Sequence, residues 1–213
     1  MIHGKHASQR LAALTLALLT GVLGGCAGNK QAAAPTASPE PTAQQERIER
    51  QAGERYEGSF TFQGVEETAR YERIRSDTLG FEMDYDYEAF KRQSEADRER
   101  FISAWDDPAR PVNTLEVTAR AEDAETTAAA IGELLSDRYE VRTETVTLDR
   151  AGSCISVDAT LAKGGRNTAD EPRHLYVFPK ANGCLVAETR YDVVESDYFG
   201  MRFRYFLNTF SLI

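Results

Sequence analysis

A row of carboxylates is the residue pattern with the most evident chemistry in this chain. Glu82, Asp84, Asp86 and Glu88, here called the acidic row, alternate with apolar residues. On a strand they would therefore share one face at intervals of about 7 Å. Such a row could bind Ca²⁺, whose sites use six to eight oxygen ligands. Asp84 and Asp86 could also work as acid and base, if they meet in a cleft that separates their pKa values.

The alternative for the acidic row is a structural role. Arg70, Arg73 and Arg75 lie on the segment before it, which is predicted to be a neighbouring strand. Opposite charges on adjacent strands pair across a sheet, so the row would then be a solvated face neutralised by these arginines. The glycine that an EF-hand loop needs at its sixth position is missing, so a calcium site here would be of another kind.

The common catalytic and zinc-binding motifs are absent from the sequence. His3 and His6 lie near the N-terminus, which leaves His174 as the one histidine beyond it. We expect a solvated or core-edge role for His174, because it stands in a polar stretch where a strand begins. There is no Gly-x-Ser-x-Gly, Ser-x-x-Lys, His-Glu-x-x-His or Cys-x-x-Cys motif. No cofactor is therefore predicted, and nothing in the sequence argues for an enzyme.

Two cysteines of the C-terminal half form a candidate disulfide. Outside the cytoplasm, Cys154 and Cys184 would have the opportunity to pair. If their strands flank a common neighbour, however, their Cα atoms lie about 9 to 10 Å apart. A disulfide tolerates no more than about 7 Å. The alternatives are a bridge made possible by a shifted register and a pair of buried, inert thiols.

The N-terminus carries the pattern of an export signal. Two basic residues precede an apolar run, residues 11–23, which is followed directly by Gly24, Gly25 and Cys26. The Leu-Gly-Gly-Cys arrangement resembles the lipobox of bacterial lipoproteins. That resemblance implies cleavage between Gly25 and Cys26, and acylation of Cys26 with diacylglycerol and a further fatty acid such as palmitate. As a helix, residues 11–25 would cover about 22 Å, which is too short for a bilayer core of about 30 Å.

Composition divides the chain into three parts. We predict a signal peptide at 1–25, a lipidated cysteine and flexible linker at 26–54, and one globular domain at 55–213. The linker contains no large apolar side chain up to residue 45 and has prolines at positions 35, 39 and 41. It therefore lacks the apolar surface that would offset the entropy of ordering it.

The charge of the chain bears on its partners. Loss of Lys5 and Arg10 with the signal would shift the net charge from −9 to −11. An acidic surface repels phosphate backbones, so nucleic acid is not an expected partner. We expect contact with the membrane through the lipid anchor, and a protein or small ligand of unknown identity as the binding partner.

Periodicity predicts a chain composed mainly of strands. The predicted strands are residues 58–62, 67–75, 81–88, 113–120, 140–148, 154–161, 175–179 and 184–194. Asp123 is expected to cap a helix with apolar residues at helical spacing. A second helix is expected from about Ser196, with Phe199 and three later phenylalanines in the core. Residues 89–105 are ambiguous and are expected to be helical in part.

This order predicts an α+β fold, an antiparallel β-sheet packed by helices. The Leu79-Gly80-Phe81 strand opening and the final helical segment 203–210 resemble the fold of PsbP and Mog1, which many bacterial lipoproteins of unknown activity share. The resemblance covers about residues 65–213 and implies a PsbP/Mog1-like α/β sandwich. The chain departs from it where that family often has a proline and a tryptophan, since its only tryptophan is Trp105.

A fold of this kind hosts unrelated roles, so function has to be argued from a site. We expect a lipoprotein anchored on the extracytoplasmic side of the cell membrane or envelope, acting as a non-catalytic binding or scaffolding module. The alternatives are an envelope enzyme or enzyme subunit that uses paired carboxylates, and a calcium-dependent adhesion module.

Overall fold

The computed structural model of the chain describes residues 49–107, 109–161 and 172–213. Its strands are β1 (Arg55–Phe62), β2 (Val65–Ser76), β3 (Phe81–Asp86), β4 (Phe90–Ser94), β5 (Arg98–Ser103), β6 (Thr114–Arg120), β7 (Tyr139–Leu148), β8 (Gly152–Leu161), β9 (Arg173–Pro179), β10 (Cys184–Arg190) and β11 (Ser211–Leu212). The helices are α1 (Ala124–Ser136) and α2 (Ser196–Thr209), with a 3₁₀ turn at Val193–Glu195. The predicted signal with Gly25, the candidate lipidation site Cys26 and most of the predicted linker lie outside the described residues.

A seven-stranded antiparallel sheet forms the larger layer. Its strand order is β4-β5-β6-β10-β9-β8-β7, so that the last four strands of the sheet run consecutively as a meander. The sequence predicted this meander, because its strand segments are bounded by turn residues such as Ala181-Asn182-Gly183. The return strand β10 ends at Arg190, earlier than predicted, since Asp192 caps the 3₁₀ turn that follows.

The expectation of helix within residues 89–105 is wrong. That segment forms the hairpin of β4 and β5, with Phe90 opposite Ser103 and Arg92 opposite Phe101. Burial in β5 has a period of two: Glu99 and Phe101 are buried while Arg98 and Arg100 are partly exposed. Glu99 can occupy a buried position because Arg92 binds it at 2.8 Å. Because the charged Glu99 occupies one of the buried positions, the apolar residues of this segment do not alternate. A search for alternating apolar residues therefore misses the strand.

A four-stranded antiparallel sheet, in the order β1-β2-β3-β11, forms the smaller layer. The β1–β2 hairpin turns at Gln63 and Gly64, which have φ angles of 48° and 80°. Positive φ at both central residues is the type I′ geometry that fits the twist of a hairpin. Gln63 is the only non-glycine residue among the described ranges with a positive φ.

Helix α1 covers one face of the large sheet. Asp123 caps it by accepting a hydrogen bond from the backbone N–H of Thr126, as the sequence predicted. Ala124, Ala128 and Leu135 are buried in a cluster with strand residues such as Val157 and Val177. These strand residues define the α1 side of the sheet.

Helix α2 and the small sheet cover the opposite face. The predicted phenylalanine stripe is buried throughout, with Phe199, Phe203, Phe206 and Phe210 each at most 2% exposed. Each buried ring contributes about 1.5–3 kcal/mol. Phe210 stacks between Phe81 and Phe178, whose ring centroids lie 4.9 and 4.4 Å away. The two sheets and two helices confirm the predicted α+β class with antiparallel sheets packed by helices.

The two cysteines are free thiols, and the candidate disulfide is absent from the structure. Cys154 belongs to the cluster on the α2 side of the large sheet. Cys184 belongs to the cluster on the α1 side, where its thiol lies 3.3 Å from the Thr127 hydroxyl. The sheet separates the two sulfurs, so a bridge would require rearrangement of the strands.

Among the described residues, neither α1 nor α2 is long and apolar enough to cross a bilayer.

Candidate functional site: a groove beside the C-terminal helix

The acidic row is matched by arginines of the neighbouring strand, as its structural interpretation predicted. In the β2–β3 register, Arg73 lies opposite Asp84 and Arg75 lies opposite Glu82. The ion pairs between these strands and at their end are Arg73–Glu82 (3.0 Å), Arg73–Asp84 (3.2 Å), Arg75–Glu82 (3.2 Å) and Arg70–Glu88 (2.9 Å). No three metal-ligating side chains among the described residues form a group that could hold a metal. The calcium hypothesis for the row therefore gains no support.

The expectation that the row is a solvated face is wrong at its centre. Asp84 and Asp86 are 1% and 3% exposed. The Tyr56 hydroxyl donates to Asp84 at 2.8 Å. The partner of Asp86 comes from α2, because Arg202 forms a salt bridge with it across 116 residues of chain. Both aspartates are thus engaged in a buried polar network.

Arg202 joins α2 to the small sheet. Its guanidinium lies 4.6 Å from the centre of the Phe60 ring and 4.4 Å from that of Tyr198, and it donates to the Tyr198 hydroxyl. Cations over aromatic faces are stabilised most when they are desolvated. The C-terminal end of α2 is held at Thr209, whose carbonyl accepts a hydrogen bond from Arg73 at 2.9 Å. The position of α2 is therefore specified by buried charges as well as by its phenylalanines.

A groove runs between α2 and the face of the large sheet. Its first lobe has a volume of about 430 Å³. The walls are largely aromatic and apolar, formed by Phe62 at the β1–β2 hairpin, Tyr191 after β10, and Met201 and Phe203 of α2. Gly200 lies in the helical wall, where the absence of a side chain leaves the lobe open.

The second lobe continues toward β7 and is more polar. It has a volume of about 390 Å³ and is lined by residues including Glu144, Ser156, Asp158 and Asn208. Four residues line both lobes and define what we call the junction: His174, Tyr176, Arg204 and Leu207. A molecule bound across the junction would contact both the apolar and the polar lobe.

His174 lies at the junction, as the second residue of β9, and is partly buried, which agrees with the expected core-edge position at the start of a strand. Its Nδ1 lies 2.7 Å from a carboxylate oxygen of Asp158, the residue opposite it on β8. Its ring also stacks on Tyr191, with centroids 5.6 Å apart. The imidazole is thereby fixed in orientation, with Asp158 on one nitrogen and the groove accessible to the rest of the ring.

The electrostatics of the junction favour hydrogen bonding to a ligand. The hydrogen bond with His174 lowers the pKa of Asp158, so this carboxylate is ionised at neutral pH. Burial raises the pKa of Tyr191 to about 12 and also raises the pKa of Tyr176, and the charge of Asp158 adds to both shifts. Both phenols therefore stay protonated and can donate.

The arrangement supports binding better than covalent catalysis. In the described part of the chain, no serine or cysteine side chain is hydrogen-bonded to the imidazole of His174, so no nucleophile–base pair is formed. Asp84 and Asp86 line neither lobe. What the groove offers is an apolar wall, a fixed imidazole, an arginine and two tyrosines.

Sequence reasoning did not identify the groove, although its signals are visible afterwards. Ser156 and Asp158 alternate on one strand, as His174 and Tyr176 do on the next, so all four side chains share a sheet face. On α2, Gly200, Arg204 and Asn208 recur at intervals of four and share a helix face. The α2 phenylalanines dominated the periodicity of that helix and obscured this second face.

Comparison with known proteins finds solved structures of similar fold. The chain is similar to the solution structure of cyanobacterial PsbP (CyanoP) from Synechocystis sp. PCC 6803, at 12% sequence identity and a TM-score of 0.47. The similarity covers 73% of this chain and 98% of that one. A similarity at this level carries no argument about function, and the α+β class rests on the sheets and helices themselves. No protein-family model and no curated protein matches the sequence.

Removing one partner of the buried Arg202–Asp86 pair should destabilise the protein strongly. We expect Arg202→Met to lower the free energy of unfolding by about 3–5 kcal/mol, because Asp86 is left charged and buried without its partner. The matched control is Arg70→Met, since Arg70 and Glu88 are both more than half exposed. An exposed pair contributes about 0–1 kcal/mol. Chemical denaturation measures both changes, and equal losses would contradict the role given to Arg202.

Proposed function

We propose that this protein is an extracytoplasmic lipoprotein whose globular region binds a small ligand in the groove beside α2. The tether is inferred from the lipobox-like segment ending at Cys26. The observation that carries the binding role is the junction, where His174, Tyr176 and Arg204 meet between an apolar lobe and a polar lobe. Concave sites with apolar walls and a few convergent polar groups are the usual form of small-molecule sites.

The other functions considered for the chain have weaker support. An enzyme that used Asp84 and Asp86 would need those carboxylates in a cleft, whereas each is bound by a buried arginine. Calcium-dependent adhesion would need carboxylate oxygens free to bind the ion, whereas Arg70, Arg73 and Arg75 form ion pairs with carboxylates of the acidic row. A protein partner stays compatible with the tether, but the groove gives a small ligand a specific place to bind.

The anchor can be tested through Cys26. We expect Cys26→Ser to abolish incorporation of a palmitate analogue and to move the protein out of the membrane fraction, because the thiol is the acceptor of the diacylglycerol. Two or more acyl chains give stable anchoring, so the unchanged protein should stay with membranes after a salt wash. Cys154→Ser serves as the control and should leave labelling unchanged. Labelling that survives Cys26→Ser would contradict the proposed anchor.

The groove can be tested by filling it. An ideal Cβ at Gly200 would lie 3.7 Å from the Tyr191 hydroxyl, an ordinary contact, so the rest of a leucine side chain would project into the first lobe. Replacing a helical glycine also gains about 0.5–1 kcal/mol of helix propensity, which favours correct folding of Gly200→Leu. Ala130→Leu, at an exposed position of α1, is the matched control.

Thermal melts with a panel of amphiphiles, short peptides and saccharides supply the measurement. A ligand present at a hundred times its Kd should stabilise the unchanged protein by about 2.7 kcal/mol. For a chain of this size that raises Tm by about 5–10 °C. We expect the rise to persist in Ala130→Leu and to disappear in Gly200→Leu. A rise of the same size in both variants would place the ligand elsewhere and contradict the groove as the site.

A further inference from the structure

We propose that the ligand of the groove is an anionic amphiphile, with an apolar body in the first lobe and an acid group bound to Arg204 at the junction. This inference rests on the proposed function and adds the chemical class of the ligand. An acid group of this kind could be a carboxylate or a phosphate, and both share the geometry that a guanidinium recognises.

The charges of the second lobe are paired, except for Arg204. Asp158 is bound by His174 at 2.7 Å. Glu144 is bound by Arg142 at 2.6 Å. In the described ranges, Arg204 makes no ion pair or hydrogen bond, although it lines both lobes. An anion placed at the junction would therefore meet a guanidinium that has all five donors available, while the nearby carboxylates of Asp158 and Glu144 each already have a hydrogen-bonding partner.

Neighbouring groups at the junction add further donors. The Tyr176 hydroxyl stays protonated because its pKa is raised, chiefly by burial. The amide of Asn208 lies one helical turn after Arg204 on the same face of α2. A carboxylate or phosphate accepts several hydrogen bonds at once, so it could use the guanidinium, the phenol and the amide together.

The apolar part of the ligand is defined by the first lobe. Phe62, Met201 and Phe203 line it, and the helical wall from Gly200 to Leu207 extends the apolar surface for about 10 Å to the junction. Burial of an apolar body there would contribute about 25 cal/mol for each Å² removed from water. The opposing charge in this lobe is Asp197, two turns before Arg204 in the first turn of α2, where the helix dipole stabilises an acidic residue.

The net charge of the protein would not attract the proposed acidic ligand. The chain has a net charge of −9, which repels anions in solution. Selectivity for an acid would thus have to come from short-range contact with Arg204. The contribution of Arg204 to binding an acid can therefore be measured separately from the effect of the net charge of the protein.

The test compares three water-soluble probes that share one apolar body. They are 2-naphthoate, which is anionic, 2-naphthamide, which is neutral, and 2-naphthylmethylammonium, which is cationic. Titration calorimetry uses the full lipidated chain in nanodiscs of zwitterionic lipid, and empty nanodiscs correct for partition into lipid. A charge-assisted hydrogen bond contributes about 1.5–3 kcal/mol, so 2-naphthoate should bind about ten- to a hundredfold more tightly than 2-naphthamide.

Variants of Arg204 test whether this side chain causes the preference for 2-naphthoate over 2-naphthamide. We expect Arg204→Gln to remove the preference for 2-naphthoate and leave 2-naphthamide affinity unchanged, and Arg204→Lys to retain part of the preference. Arg110→Gln makes the same change of net charge at an exposed residue outside both lobes and should have no effect. Selectivity lost equally in Arg110→Gln would show a long-range effect and overturn the role of Arg204.

The remaining outcomes separate this inference from the proposed function. Equal binding of all three probes, blocked by Gly200→Leu, would overturn the anionic class and leave the groove as a ligand site. Tighter binding of 2-naphthylmethylammonium, also blocked by Gly200→Leu, would likewise overturn the anionic class and leave the groove as a ligand site. Binding of 2-naphthoate that Gly200→Leu does not weaken would overturn both, since the acid would then be recognised elsewhere. Failure of every probe to bind the unchanged protein would overturn the proposed class of ligand.

Discussion

The buried ion pair between Arg202 and Asp86 is the interaction on which the arrangement of this protein depends. It links the last helix to a strand more than a hundred residues earlier, and both side chains are almost fully removed from water. Charges buried in this way are tolerated only when their partners are in place. Any position of α2 that separated Arg202 from Asp86 would leave two buried charges unpaired. The pair therefore restricts α2 to one register against the small sheet.

Apolar packing and buried charge have different roles in placing α2. The phenylalanine stripe supplies most of the stabilisation, because four rings are removed from water. Phenylalanines alone tolerate sliding and repacking, since the hydrophobic effect is not directional. Arg202 with Asp86, and Arg73 with Asp84 and the carbonyl of Thr209, add directional contacts along the helix. The groove follows from this placement, because its helical wall is the face of α2 turned away from these contacts and toward β8 and β9.

The parts of the fold that the sequence predicts are those whose residue pattern lies within a single helix or strand. The α1 cap at Asp123, the α2 stripe and the existence of strand β3 each depend on residues within one element, and each was predicted. The β4–β5 hairpin was not, because the buried Glu99 and its partner Arg92 break the apolar pattern. Pairing of the acidic row with β2 was anticipated from adjacent strands. The burial of Asp86 was not, since Arg202 is remote in sequence and nothing local connects the two.

The groove illustrates the same limit. His174 and Asp158 lie opposite each other only because β8 and β9 pair in a particular register. Arg204 joins them only because α2 crosses that face of the sheet. No short motif contains these three residues, so their convergence could not be found by spacing. The anchor is the opposite case: its signal is entirely local, and the prediction at Cys26 depends on no tertiary contact.

Native-state hydrogen exchange of α2 tests the central claim, that buried contacts fix this helix and thereby form the groove, most directly. If the claim holds, the backbone amides from Phe203 to Leu207 exchange only through global unfolding. Their free energies of opening then equal those of the central strands β8 and β9. If α2 instead opens locally at a free energy several kcal/mol below that of the sheet, the helix is not held by its buried contacts. The groove would then be a transient feature of the molecule, which contradicts the claim.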